Sequence, residues 1–133
     1  MLFLGKKPKP PAIAAVTTKA RGQAAEDQAL AYLQAQGLRL LGRNYRTPGR
    51  GGGEIDLILQ ESDGTVVFVE VRSRGSRRFG GAGGSISAAK QRRIVLAAQH
   101  WLHTQPSQPA CRLDAVLIDG EQLQWIRAAF EAG

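Results

Sequence analysis

Two segments alternate apolar and polar residues with a period of two, GEIDLILQ (53–60) and TVVFVEVRS (65–73), and both are rich in β-branched residues. Between them, Ser62-Asp63-Gly64 offers a three-residue loop with glycine in the left-handed position, so the pair reads as a β-hairpin. Helical spacing appears twice. Ala25, Ala29, Tyr32 and Leu33 predict a first helix from Thr18 or Gly22 to Gln36, with Gly37 as its stop. Ile94, Ala97, Ala98, Trp101 and Leu102 form one stripe of a second helix over Ser87–His103, which Ser87 can cap. Further strands are expected at Leu38–Tyr45, Leu113–Ile118 and Leu123–Ile126, the last two joined by a turn at Asp119-Gly120. The stretches 47–53 and 74–85 are glycine-rich and read as flexible loops. The order helix, three strands, helix, one or two strands predicts an α/β fold with a mixed central sheet flanked by helices.

The hairpin has two unlike faces. Antiparallel pairing about its loop sets Ile55 opposite Val71, Leu57 opposite Val69 and Leu59 opposite Val67, a wholly aliphatic face. The other face sets Glu54 opposite Arg72, Asp56 opposite Glu70 and Ile58 opposite Phe68. Directly opposed side chains lie with Cβ atoms ~5 Å apart, where like charges repel. Two carboxylates so placed need a cation or a shared proton, and the oxygen-loving ions Mg²⁺ or Mn²⁺ suit them. A register shifted by one would send the acids to solvent, but it would also turn Ile55 and Leu57 to the wrong face. Glu26 is a third candidate, bordering the first helix's apolar stripe, although the helix dipole alone favours an acid there.

Charge changes the picture through its distribution. The chain has 133 residues, enough for one domain, and carries a net +7. Residues 1–21 hold five bases and no acid and read as a loosely ordered basic tail, leaving 22–133 as the folded domain. Within that domain, residues 71–113 hold eight bases and no acid, and 39–50 form a second acid-free group. Arg46, Arg50, Arg74, Arg77, Arg78, Lys90, Arg92 and Arg93 are therefore candidate contacts to nucleic acid. Lys90 could also reach the carboxylates, although a solvated basic face shared with Arg92 and Arg93 is the default. A single cysteine, Cys111, excludes a disulfide framework and fits a cytoplasmic location. No apolar run approaches the ~20 residues of a membrane span, and the first residues lack the apolar core of a secretory signal.

Other chemistry-bearing residues have plainer readings. His100 and His103 lack acidic partners nearby in sequence, Trp101 and Trp125 belong to apolar patterns, and Asp114 beside Arg112 reads as half of a structural ion pair. Phe79, among glycines and arginines, is the one aromatic placed to stack on a base.

Several blocks together carry a resemblance: Gly22-x-x-x-Glu26-Asp27, Ala31-Tyr32-Leu33, Arg43-Asn44-Tyr45-Arg46, GEIDLI, VFVEVRSR, Phe79-Gly80 and Lys90-Gln91-Arg92-Arg93. In this order they closely resemble the YraN family of small bacterial proteins over residues 20–130. That family resembles the PD-(D/E)XK superfamily, with a restriction-endonuclease-like core, and in layout the archaeal Holliday-junction resolvases. The resemblance implies a metal-dependent nuclease acting on DNA, branched or otherwise structured, and hints at a homodimer. It implies Glu26, Asp56, Glu70 and Arg72 as catalytic residues, with Asp56, Glu70 and Glu26 holding Mg²⁺ or Mn²⁺. Arg72 stands where the superfamily has lysine. Arginine stays protonated and cannot act as a general base, although it can hold a phosphate. That departure keeps open a second expectation, a nuclease-like fold that binds nucleic acid without cutting it. A third is a protein whose basic tail binds an acidic partner.

Overall fold

The computed structural model describes residues 18–73 and 86–132, with only the backbone of Thr18. Helix α1 spans Thr18–Ala35, β1 Arg39–Arg46, β2 Glu54–Gln60, β3 Val66–Ser73, α2 Ala88–His103, β4 Cys111–Asp119 and β5 Gln122–Ile126. The five strands form one sheet in the order β1-β2-β3-β4-β5. All neighbours are antiparallel except β3 and β4, which α2 joins as a parallel crossover. The expected α/β fold with a mixed sheet between helices is present. The α1 start is Thr18, and residues 1–17 lie outside the described residues, as does the glycine-rich stretch 74–85 with Phe79, Arg74, Arg77 and Arg78.

Local chemistry ends and starts these elements. Gly37, at φ 99°, closes α1: its N–H donates to Gln34 and that of Leu38 to Leu33, the paired bonds of a Schellman motif. Ser87 caps α2 by accepting from the Lys90 N–H at 3.1 Å. Gly64, at φ 98°, turns the hairpin. Four observed β2–β3 pairs, from Leu57↔Val69 to Gln60↔Val66, have the register expected from the loop.

One helix covers each face of the sheet. Ala25, Ala29 and Leu33 of α1 pack on Leu57, Leu59, Val67, Val69, Val116 and Ile118. Ile94, Ala97 and Ala98 of α2 pack on Ile55, Ile58, Val66, Phe68 and Leu113. Trp101 meets Phe68 edge-on at 5.8 Å and Trp125 meets Tyr32 at 6.3 Å, so both tryptophans are packing residues. Asp114 is fully buried and fully paired. It accepts from Arg112 Nε, Trp125 Nε1 and the Ala128 N–H, each at 2.9 Å. The structural ion pair expected there is present.

The alternation of β2 breaks once, and the break makes the site. Leu57 faces α1, yet Ile55 faces α2 with Ile58. Neighbouring β1 switches too: Arg43, paired with Leu57, reaches Glu26 and Asp27 on α1, whereas Tyr45, paired with Ile55, reaches His100 on α2. Between them Asn44 takes φ 54°, a left-handed conformation asparagine tolerates better than most residues. The β2–β3 ladder ends at Leu57↔Val69, and the Val71 N–H donates instead to Asp56 Oδ2 at 2.8 Å. The expected facing pairs Ile55–Val71, Asp56–Glu70 and Glu54–Arg72 are therefore absent from the ladder, although Asp56 and Glu70 remain neighbours across the gap. Ile55 and Val71 pack on opposite faces, and Glu54 turns to α2.

Gly53 sets how closely β2 approaches α2. A Cβ at this buried position would overlap the Arg93 carbonyl and crowd the Ala97 N–H. Gly53→Ala is expected to cost about 1–3 kcal/mol through overpacking, measured by urea denaturation. Gly49→Ala, where a Cβ meets only open space, should cost only the smaller strain of its positive φ.

Candidate active site

The site lies where β2 and β3 part, between the middle of α1, which carries Glu26, and the first turn of α2. Asp56 points into the gap because its own strand has lost its ladder partner there. Glu70, by alternation with Phe68, faces α2 and is 5% exposed. The two carboxyls share a hydrogen bond. Burial, then the charge of Asp56, pushes Glu70 from its ordinary 4.5 up to about 8. Burial also raises Asp56, against the lowering effect of the Val71 N–H.

Two cations close on Glu70. Arg72 Nε and Lys90 Nζ each lie 3.9 Å from its Oε2. Lys90 Nζ also donates to Glu54 Oε2 at 3.3 Å. Lys90 was expected on a solvated face, yet its side chain is only 21% exposed. The signal was in the spacing: Lys90 precedes Ile94 by four residues, which puts it on the buried stripe of α2. Glu54 was also missed as a site residue. It gathers Lys90, Arg93 at 3.8 Å and Arg46 at 4.0 Å. Burial works against its ionisation, but Lys90, with Arg46 and Arg93, holds it below its ordinary value.

Glu26 approaches from α1, where burial and the charge of Asp56 raise its carboxyl. Its closest ion pair is with Arg43, at 3.4 Å. Beside it a groove of about 380 Å³ is lined by Lys19, Gln23, Glu26, Asn44 and Arg46. Arg46 also lines a second hollow of about 280 Å³, with Glu54, Arg93 and the glycines of the 47–53 loop. Arg50 and Arg92 are exposed nearby in sequence.

Whether the residues fit a divalent ion can be judged from the donors. Glu70 Oε1 is buried with no hydrogen-bond partner, an orphaned acceptor beside Asp56. Arg72 Nε is an orphaned buried donor in the same place. Both atoms lack a hydrogen bond, although Arg72 Nε and Lys90 Nζ each lie 3.9 Å from the other Glu70 oxygen. Among the described residues no three His, Cys, Asp or Glu side chains form a ready cage. Two carboxylates suffice for Mg²⁺, which commonly keeps waters and takes the rest of its shell from substrate phosphate. Glu26 then stands outside the direct pair. His100 instead bonds Tyr45, at 2.5 Å.

The profile of Uncharacterised protein family UPF0102 matches residues 25–118, a span holding Glu26, Asp56, Glu70, Arg72 and Lys90. The chain belongs to this family. A UPF0102 protein of Acidovorax sp. (strain JS42) is 68% identical over 132 residues, covering 99% of each chain. Those of Paracidovorax citrulli and Verminephrobacter eiseniae are 66% and 61% identical, over 100% and 98% of this chain and 100% and 96% of theirs. UPF0102 relatives thus match the chain nearly end to end. No helix among the described residues is long and apolar enough to cross a membrane.

The raised Glu70 carboxyl has a measurable sign. The folded state binds this proton more tightly than the unfolded chain does. Its contribution to stability is therefore full below the ordinary carboxylate range and lost as pH rises through about 8. In the absence of divalent ions, the Tm is expected to fall between about pH 5 and about pH 8.5, and Glu70→Gln to flatten that fall. Scanning calorimetry across that range checks it.

Proposed function

We propose that this protein is a metal-dependent nuclease hydrolysing phosphodiester bonds in DNA, with Asp56 and Glu70 holding Mg²⁺ or Mn²⁺. The observation that carries the reading is the half-buried Asp56 beside the buried Glu70 at the parting of β2 and β3, with Glu70 Oε1 unpartnered and two cations within 4 Å of its Oε2. The resemblance of the hairpin to the PD-(D/E)XK pattern supports the same reading, and its likeness to junction resolvases favours branched DNA and a homodimer.

A divalent ion held there supplies neutralisation of phosphate charge and activation of water. The chain's own residues do the rest. The Val71 N–H fixes the rotamer of Asp56. Arg72, always protonated, offers its orphaned Nε–H to a phosphate oxygen and stabilises charge that builds in the transition state. Arg46 and Arg93, on either side of the glycine loop, grip the backbone of the strand. Glu26 orients the approach from α1 while tied to Arg43.

Branched, single-stranded and duplex DNA incubated with the pure protein and Mg²⁺ or Mn²⁺ test the reading. Cleavage is expected, falling about 100-fold or more in Asp56→Asn and Glu70→Gln. No cleavage by wild type, or equal cleavage by Asp56→Ala, would sink it.

One observation favours a second reading, binding without cleavage: Lys90 and Arg72 already place positive charge 3.9 Å from Glu70, where a metal's charge would stand. That reading expects salt-sensitive DNA binding that survives both Asp56→Ala and Glu70→Ala. Under either reading, Arg93→Ala should lower the slope of log affinity against log salt by about 1.

A further inference from the structure

The lysine position on β3 is filled by Arg72, yet a lysine is present in the site, arriving from the other side. Lys90 sits in the first turn of α2, three residues after the Ser87 cap. Its position on the buried stripe directs its stem inward. The ammonium ends between two carboxylates, 3.3 Å from Glu54 and 3.9 Å from Glu70.

Stability does not account for this placement. A half-buried ion pair gains little over an apolar residue of the same volume, because desolvation offsets most of the attraction. Exposed Arg92, two residues on, shows that this helix can leave a base in solvent. Backbone gripping does not account for it either, since a lysine 21% exposed and turned toward Glu70 is poorly placed to meet a passing strand first. Its geometry suits a group that acts on whatever Glu70 holds. Lysine's compact ammonium has three donors and can keep Glu54 while reaching a third oxygen.

We propose that Lys90 is a catalytic residue of this site, its ammonium contacting the phosphate under attack, with Glu54 as the carboxylate that aims it. The inference rests on the nuclease reading and adds the residue and the role. Arg72 then serves as a second phosphate contact rather than as the substitute for the missing lysine. The placement divides the work between two elements, with acids on the strands and the ammonium on the helix.

Two measurements on the full chain test it together, Mn²⁺ affinity by calorimetry and steady-state cleavage. Lys90→Met keeps the stem and removes the charge, and Lys90→Gln is a second charge-removing variant should the first fail to fold. A positive charge this close to the carboxylates must oppose a bound cation. Either variant is therefore expected to bind Mn²⁺ at least threefold more tightly than wild type, while kcat falls at least 100-fold and KM stays within threefold. Lys90→Arg keeps the charge and should return Mn²⁺ affinity to the wild-type value. Arg39→Met, which removes a charge at the far end of β2 beside Gln60, should match wild type in both measurements. Unchanged Mn²⁺ affinity in the charge-removing variants, or a cleavage loss confined to KM, overturns the inference and leaves the nuclease reading intact. Wild type that neither binds Mn²⁺ nor cleaves overturns the nuclease reading, and this inference with it.

Discussion

The carboxylate of Asp56 occupies the place of a backbone carbonyl. Where β2 should continue its ladder with β3, the Val71 N–H finds Asp56 Oδ2 at 2.8 Å. That one substitution lets two central strands part without leaving a buried donor unpaired, a cost that would otherwise run to ~1–3 kcal/mol. The neighbouring strand accommodates the change through Asn44, whose left-handed φ turns Arg43 and Tyr45 to opposite helices. The gap, the exposure of Asp56 to both helices and the freedom of Glu54 to meet Lys90 all follow from it.

Two aspartates, Asp114 buried and Asp56 half-buried, show how differently one residue type is used. Asp114 accepts from Arg112, Trp125 and Ala128, and its hydrogen-bonding capacity is spent on the fold. Asp56 spends one oxygen on the fold and keeps a hydrogen bond with Glu70, whose other oxygen has no partner. Buried polar groups in folded proteins are almost always paired, so this unpartnered oxygen sets Glu70 apart from the fully paired Asp114.

Features set by local chemistry were legible in the sequence. Gly37, Gly64 and Ser87 do what their residue types and positions require, and the apolar periodicities of both helices and of the hairpin's loop-proximal half hold. Asp56 and Glu70 were legible because like charges in facing strands are conspicuous. The far half of the hairpin was not. Strict alternation over GEIDLILQ places Ile55 with Leu57, whereas the structure turns them to opposite faces where the ladder ends and Asn44, in a different strand, takes a left-handed φ. Lys90 was misjudged because two neighbouring arginines suggested a solvated face, although its spacing from Ile94 marked the buried side.

The residues around the gap come from elements on both faces of the sheet. Glu26 comes from α1, Lys90 from α2, and Asp56 and Glu70 from the two central strands beyond the end of their ladder. No fragment of this chain brings the groups together. The cluster is therefore a property of the whole domain, and no shorter piece of the chain would reproduce it.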